Sequence, residues 1–272
     1  MKKSRAFTLI ELLVVVAIIG LLIAIIVPSL GIASRKVKTA RCATQVRGLA
    51  QSVQIYVADW GRMLAFSQNA DGSWVQILGN RPANAAGGNS GYGGSAKLNT
   101  CPSAPLPESL ADLTVGTAHS QWYGSIAGTT LSGSYAMNGF MYNYPDTQAD
   151  SIGTLNSAGC SVVGEYYNYQ KISSASETPL FCDANWRHFW ANPSDQPPQA
   201  PYNLDNNGPS STGSVTSPNT LIHPLQRAIM DRHQRGINVS FVDGHTELVK
   251  LPKLWSLRWY RGWVPPITAP MK

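Results

Sequence analysis

Charge is scarce in this chain. Only 13% of its 272 residues are Asp, Glu, Lys or Arg, which speaks against a cytosolic enzyme built from charged helices. Acidic residues are scarcer still at the N-terminus, where residues 1–47 hold Glu11 alone against eight basic side chains (Lys2, Lys3, Arg5, Arg35, Lys36, Lys38, Arg41 and Arg47). The remaining 225 residues therefore carry 13 basic and 14 acidic groups and are close to neutral. A nucleic-acid-binding protein would place its positive charge on its functional domain. Here the charge flanks an apolar segment, which fits a membrane surface or a topology signal and no nucleic acid. Cysteines number four and form no CxxC pair, which argues against a zinc knuckle or a thioredoxin-type motif. HExxH, a phosphate-binding loop and a nucleophile elbow are missing too, so no enzymatic activity is expected. We find no internal repeat and no compositional boundary for a second domain.

What the chain does have is an apolar run of 21 residues from Phe7 to Val27. At about 1.5 Å per residue it is long enough to cross a hydrocarbon layer of roughly 30 Å once. A secretory signal has a shorter apolar core of about 7–15 residues and a small-residue cleavage site after it. Positive charge lies on both sides of the run, so the positive-inside rule does not orient it, and that rule is weak for long translocated domains. We place Lys2, Lys3 and Arg5 in the cytoplasm. Glu11 is the anomaly, because an unpaired carboxylate toward the bilayer interior costs a few kcal/mol and calls for a partner or a task.

After Pro28 the pattern stays helical. Cys42, Val46, Leu49, Val53, Tyr56 and Trp60 recur three and four residues apart, one stripe of a helix that buries against a domain. Arg35, Lys36, Arg41, Gln45, Arg47 and Gln51 occupy the opposite side. Beyond residue 62 the chain reads as short strands among loops, clearest at 133–138, 179–183 and 237–250, with low-complexity stretches at 86–95 and 204–220. The alternation from Ile237 to Leu251 around Asp243-Gly244 predicts a β-hairpin with a two-residue turn. Four cysteines facing an oxidising compartment fit two disulfides with three possible connectivities. We take Cys42–Cys101, pinning the head to the helix, and Cys160–Cys182; free buried thiols are the alternative, since Cys42 lies on the apolar stripe. Trp255, Trp259 and Trp263 fall at helical spacing. Such a stripe belongs to the core, or else to an exposed stacking surface for a glycan or a neighbouring subunit.

The run Lys2-Lys3-Ser4-Arg5-Ala6 followed by Phe7-Thr8-Leu9-Ile10-Glu11 resembles the leader and cleavage site of type IV prepilins and type II secretion pseudopilins. In that family a prepilin peptidase removes the leader and methylates the new terminal amine, and the fifth mature residue is a glutamate. The resemblance implies cleavage between Ala6 and Phe7, with Glu11 as that glutamate and the new ammonium of a neighbouring subunit as its counter-ion. Ala6 departs from the glycine usual before the cut, though it too is small. Pro28 stands where the family commonly has a proline, which would kink or locally melt the helix. His233, nine residues and Asp243-Gly244 resemble a second element, H-X9-DG, of a large group of prepilin-like proteins. Cys42, Cys101-Pro102, Ser134-Tyr135 with Asn138, and Phe181 to Asp183 look like further pieces of it.

The resemblance implies an α+β, pilin-like architecture. A leader spans 1–6, a transmembrane and filament-core helix 7–28, and an amphipathic helix 29–62. A head spans 63–272, with an antiparallel sheet, long loops and the hairpin element at 233–244. It implies other pilin or pseudopilin subunits and the inner membrane as partners, a single-pass anchor with the head in the periplasm or outside, and a possible place in an extracellular filament. Asp183, His233, Asp243 and His245, with Asp231 beside them, are the candidate oxygen and nitrogen ligands of a divalent cation such as calcium, which some major pseudopilins use to hold a C-terminal loop. The plainer expectation is that Asp243-Gly244 only turns the chain and His233 only hydrogen-bonds the strand ahead of it. A displayed carbohydrate- or metal-binding head that does not polymerise is the alternative function.

Overall fold

The computed structural model describes residues 8–65, 74–80, 92, 96–106, 113–114, 116–126, 129–143, 172–196 and 224–267. Apart from Tyr92, the low-complexity stretches at 86–95 and 204–220 lie outside the described residues, as do Ala6, Phe7 and Cys160.

One helix, α1 (Leu9–Trp60), organises the molecule. Its 52 residues reach about 78 Å at the usual rise per residue. Thr8 starts it with a capping box: the Thr8 hydroxyl accepts from the Glu11 N–H at 3.3 Å, and the Glu11 carboxylate accepts from the Thr8 N–H at 2.8 Å, so two orphan donors of the first turn are satisfied. Gly61 ends it at φ 65°, a left-handed conformation that glycine adopts without penalty, and donates its N–H to Val57 O at 2.8 Å. The helix runs through Pro28 without a break, so the expected local melting does not occur. The missing N–H costs one backbone bond there, and Ser29 Oγ donates to Ile26 O at 2.8 Å in the same turn.

The two halves of α1 differ as the sequence requires. From Leu9 to Val37 its large apolar side chains are exposed. From Cys42 to Tyr56 the stripe Cys42, Val46, Leu49, Val53 and Tyr56 is buried against the head, each fully buried aliphatic side chain contributing roughly 1.5–3 kcal/mol. Trp60, expected on that stripe, is half exposed and donates its indole N–H to the Tyr92 hydroxyl.

The head holds two sheets. A small antiparallel one pairs β1 (Leu113–Thr114), β2 (Trp122–Ile126) and β3 (Thr129–Gly133) in that order. The larger contains β4 (Tyr135–Asn138), β5 (Pro179–Asp183), β6 (His188–Phe189), β7 (Gly236–Phe241) and β8 (Thr246–Lys250), in the order β6-β4-β5-β7-β8. Its pairings are antiparallel except at the edge, where the two-residue β6 joins β4 in parallel. Strand alternation sends Tyr135, Met137 and Phe181 to the side of the α1 stripe, and Ala136, Cys182, Ile237, Val239 and Phe241 to the other side. There the C-terminal segment covers the sheet with Leu254, Trp255 and Trp259. Both faces are therefore closed, which is why all six residues of β7 are buried.

The hairpin forms as expected but with a different turn. Gly244 N–H bonds Phe241 O at 2.9 Å and Phe241 N–H bonds His245 O at 3.0 Å. Gly244 alone in the turn has positive φ, at 91°. This is a three-residue connection with the left-handed position at Gly244; a two-residue type I′ turn would need positive φ at Asp243 as well.

Candidate functional site

The helix face of the large sheet is not uniformly apolar. Asp183 ends β5 beside Phe181, and Asn238 lies opposite on β7; both are buried. The segment leading into β7 brings Arg232 and His233 to the same place. Gln234 and Arg235 turn left-handed at φ 58° and 57°, a conformation costing non-glycine residues about 1–2 kcal/mol each. Four contacts hold the turn: Arg235 N–H to Asp231 Oδ1 at 2.5 Å, His233 N–H to Gly236 O at 3.2 Å, Leu251 N–H to Arg235 O at 3.1 Å, and Lys250 Nζ to Gln234 O at 2.9 Å. Asp231 thus serves the turn.

Arg232 is fully committed inside the head. Its guanidinium donates to Ser134 O at 2.6 Å, Thr117 O at 2.8 Å and Ala118 O at 3.1 Å, and it pairs with Asp183 Oδ1 at 3.4 Å. Asp183 Oδ2 accepts from Asn238 N–H at 2.7 Å and lies 3.4 Å from His233 Nε2. Burial pushes the Asp183 carboxyl up, and the His233 contact, the Arg232 charge and the Asn238 N–H outweigh it and hold it below the usual carboxylate range.

His233 joins this pair to the helix. Its Nδ1 is 3.1 Å from Thr39 Oγ1, and its Nε2 also faces Cys101 Sγ at 3.6 Å. Cys101 is disulfide-bonded to Cys42 of α1 across 59 residues of chain, a closure worth roughly 4 kcal/mol by loop entropy. Asn238 Nδ2 adds a contact to Thr39 O at 3.4 Å. One ligand atom from each of Cys42, Cys101, Asp183 and His233 lies within 4.8 Å of the others, and all four residues are buried.

Of the four expected cation ligands, then, Asp183 and His233 meet and Asp243 and His245 do not join them. The latter pair sits at the far end of β7, at the hairpin turn. Asp243 Oδ1 accepts from the His245 N–H at 3.1 Å and lies 2.6 Å from His245 Nδ1, both side chains partly exposed. The His245 ring stacks on Phe241 at 4.3 Å. A shared four-residue site is ruled out by the length of the strand between the pairs. Calcium fits the observed cluster poorly, because it takes six to eight oxygen ligands and this cluster offers two sulfurs, a nitrogen and one carboxylate.

Two further alternatives are decided among the described residues. Cys182 is a free, buried thiol, and Cys160 lies outside the described residues; Cys182 points into the core beneath the C-terminal segment, where burial and the Asp183 charge push its thiol well up. Trp255, Trp259 and Trp263 form no exposed platform. Trp255 lies in a 3₁₀ helix (Leu251–Ser256) and the other two follow it. All three are buried, and their indole N–H groups donate inward to Asp195 O at 2.9 Å, Leu254 O at 2.8 Å and Trp255 O at 3.0 Å. Sequence reasoning missed Arg232 and Thr39. The only signal for Arg232 was its place next to His233.

Asp195 gives the head a pH dependence. Its Oδ2 accepts from Asn192 N–H at 2.8 Å and Leu225 N–H at 2.9 Å, yet burial dominates and lifts its pKa to about 7. The folded chain therefore keeps a proton that the unfolded chain loses near pH 4, and this contribution to stability falls as pH rises to about 7. His188, held well below the usual imidazole range by burial, acts in the opposite sense below about pH 6.5. The Asp195 contribution is thus the difference between wild type and Asp195→Asn. That difference should move in favour of the variant by about 2 kcal/mol between pH 5.5 and pH 8, read from urea midpoints of the full chain in detergent.

Residues 1–27 match the prokaryotic N-terminal methylation motif. No curated protein and no solved structure matches the chain. Ala6, Phe7 and Glu11 fall within the matched segment, which runs into an N-terminal helix long and apolar enough to cross a membrane. Motif and helix together support a type IV prepilin-like, membrane-anchored protein.

Proposed function

We propose that the chain is a structural subunit of a type IV pilus-like or type II secretion pseudopilus-like filament. A prepilin peptidase cuts it between Ala6 and Phe7 and methylates the Phe7 amine. The helix first anchors it once through the inner membrane, with the head in the periplasm or outside, and then packs in the filament core among other pilin-like subunits.

The observation that carries this reading is the division of α1. Its first half exposes apolar side chains on every face, from Leu9 at 78% to Val37 at 66%, whereas its second half is pinned to the head by a disulfide and a buried polar cluster. Such a helix is buried by lipid or by other helices and cannot fold back on its own head. The H-X9-DG resemblance gains support in one respect: His233 and Asp243-Gly244 bracket β7, the first anchoring the sheet to α1 and the second turning the hairpin toward Gln54, whose Nε2 donates to Val242 O at 3.1 Å. We read the head as a structural, non-enzymatic part, since the Asp183–His233 pair faces the helix and not solvent.

The test is fractionation. Cells co-expressing the chain with a prepilin peptidase should yield it in a sheared, pelletable fibre fraction, and cells lacking the peptidase should keep it in the membrane. Recovery only in the membrane with active peptidase present would contradict the filament reading.

A further inference from the structure

The buried cluster beneath α1 has a ligand set that neither the methylation motif nor the filament reading uses. Soft thiolates with imidazole suit zinc, which structural sites bind with four tetrahedral ligands at about 2.3 Å from sulfur and about 2.0–2.2 Å from nitrogen or oxygen. Ligands at those distances stand about 3.6 Å apart for nitrogen and sulfur, and about 3.4 Å apart for nitrogen and oxygen. His233 Nε2 is 3.6 Å from Cys101 Sγ and 3.4 Å from Asp183 Oδ2. The nitrogen–oxygen separation is long for a hydrogen bond, and both match those of neighbouring ligands. The two sulfurs would have to part to about 3.8 Å, which reduction permits, and the four ligand atoms, now within 4.8 Å of one another, would draw in around the ion.

The hydrogen bonds around His233 point the same way. The Thr39 hydroxyl has one proton and donates it to Arg35 O at 3.0 Å. With its proton there, its oxygen is free to accept from His233 Nδ1–H at 3.1 Å. In that tautomer the Nε2 lone pair faces the Asp183 carboxylate and Cys101 Sγ. A metal-binding histidine is oriented in this way, with its second N–H given to an oxygen. Charge balances as well. With His233 neutral and the sulfurs protonated or bonded together, the ionic charges within the cluster are those of Asp183 and Arg232, which cancel. Replacing two thiol protons by one divalent cation adds two positive and two negative charges, and the buried sum stays at zero, avoiding the penalty of an unpaired interior charge.

We propose that, in the dithiol form of the chain, Cys42, Cys101, His233 and Asp183 hold one zinc-type divalent cation. Binding releases two thiol protons to solvent and transfers no electrons. Disulfide and cation are alternative occupants of the same two sulfurs, and each ties α1 to the head across the same loop.

The test uses the full chain in detergent, reduced with a phosphine, refolded and titrated with Co(II) and then Zn(II). One equivalent of cobalt should bind, with the visible absorption of a tetrahedral site and a thiolate-to-cobalt charge-transfer band, and zinc should displace it. The oxidised chain and a Cys42→Ser/Cys101→Ser variant should bind none, while Cys160→Ser and Cys182→Ser should bind as wild type does. Thr39→Val, which touches no metal, should weaken binding 10–100-fold. If the reduced chain refolds to its native tryptophan fluorescence and binds no cobalt, the proposal is wrong. If it needs metal to refold, recovery of that fluorescence with one equivalent supports the proposal, and no recovery overturns it. Equal binding by the double serine variant also overturns it.

Discussion

Arg232→Met lowers the stability of the head by about 3–5 kcal/mol, measured as urea unfolding of the full chain in detergent by tryptophan fluorescence. The size follows from what is stranded. Asp183 keeps its buried charge and loses its cation, and the carbonyls of Thr117, Ala118 and Ser134 lose a donor. Methionine preserves the packing of the side-chain stem, so the loss reports the charge and its hydrogen bonds. Against a total stability of about 5–15 kcal/mol, such a change leaves the head marginal. Arg258 provides the contrast. Its pair with Glu177 is equally well formed, at 3.0 Å, but both side chains are about half exposed. Arg258→Ala should therefore cost no more than about 1 kcal/mol. Equal effects at the two arginines would mean that the Asp183 cluster contributes nothing special.

Glu11→Ala should leave the chain membrane-inserted with a folded head and reduce its recovery in sheared fibres at least tenfold. In the isolated chain the Glu11 carboxylate accepts from both the N–H and the hydroxyl of Thr8 at 2.8 Å, a cap whose loss costs only about 1 kcal/mol. In the filament its proposed partner is the Phe7 ammonium of a neighbouring subunit, and a buried charge left without its partner costs several times as much. Glu11→Gln separates the two roles. Glutamine still serves a capping box but carries no charge, so it should insert normally and fail to assemble like alanine. Fibre yields from Glu11→Gln that equal wild type would reduce Glu11 to a helix cap and remove the charge-pairing account.

The helical and strand content was legible because it is written locally. The stripe from Cys42 to Tyr56 has the period of a helix that buries one face, and it packs as that period requires. Residues 179–183 and 237–250 became β5 and the β7–β8 hairpin. Convergence was legible only at the Cys42–Cys101 link. Asp183, His233 and Cys101 meet because β5 pairs with β7 and the Cys42–Cys101 link draws residue 101 to α1, and no local pattern encodes the strand pairing. Asp243 and His245 looked like companions of His233, but a strand places its two ends far apart. The tryptophan spacing suggested a helix face, whereas a 3₁₀ helix followed by a turn at Tyr260 to Trp263 buries all three rings.

The central claim is that proteolysis creates the amine that Glu11 pairs with. Intact mass spectrometry of the protein from native membranes tests it most directly. The account predicts a chain beginning at Phe7 that lacks Met1 to Ala6 and carries one added methyl group on its terminal amine. A chain that keeps Met1 to Ala6 with an unmodified start would contradict it.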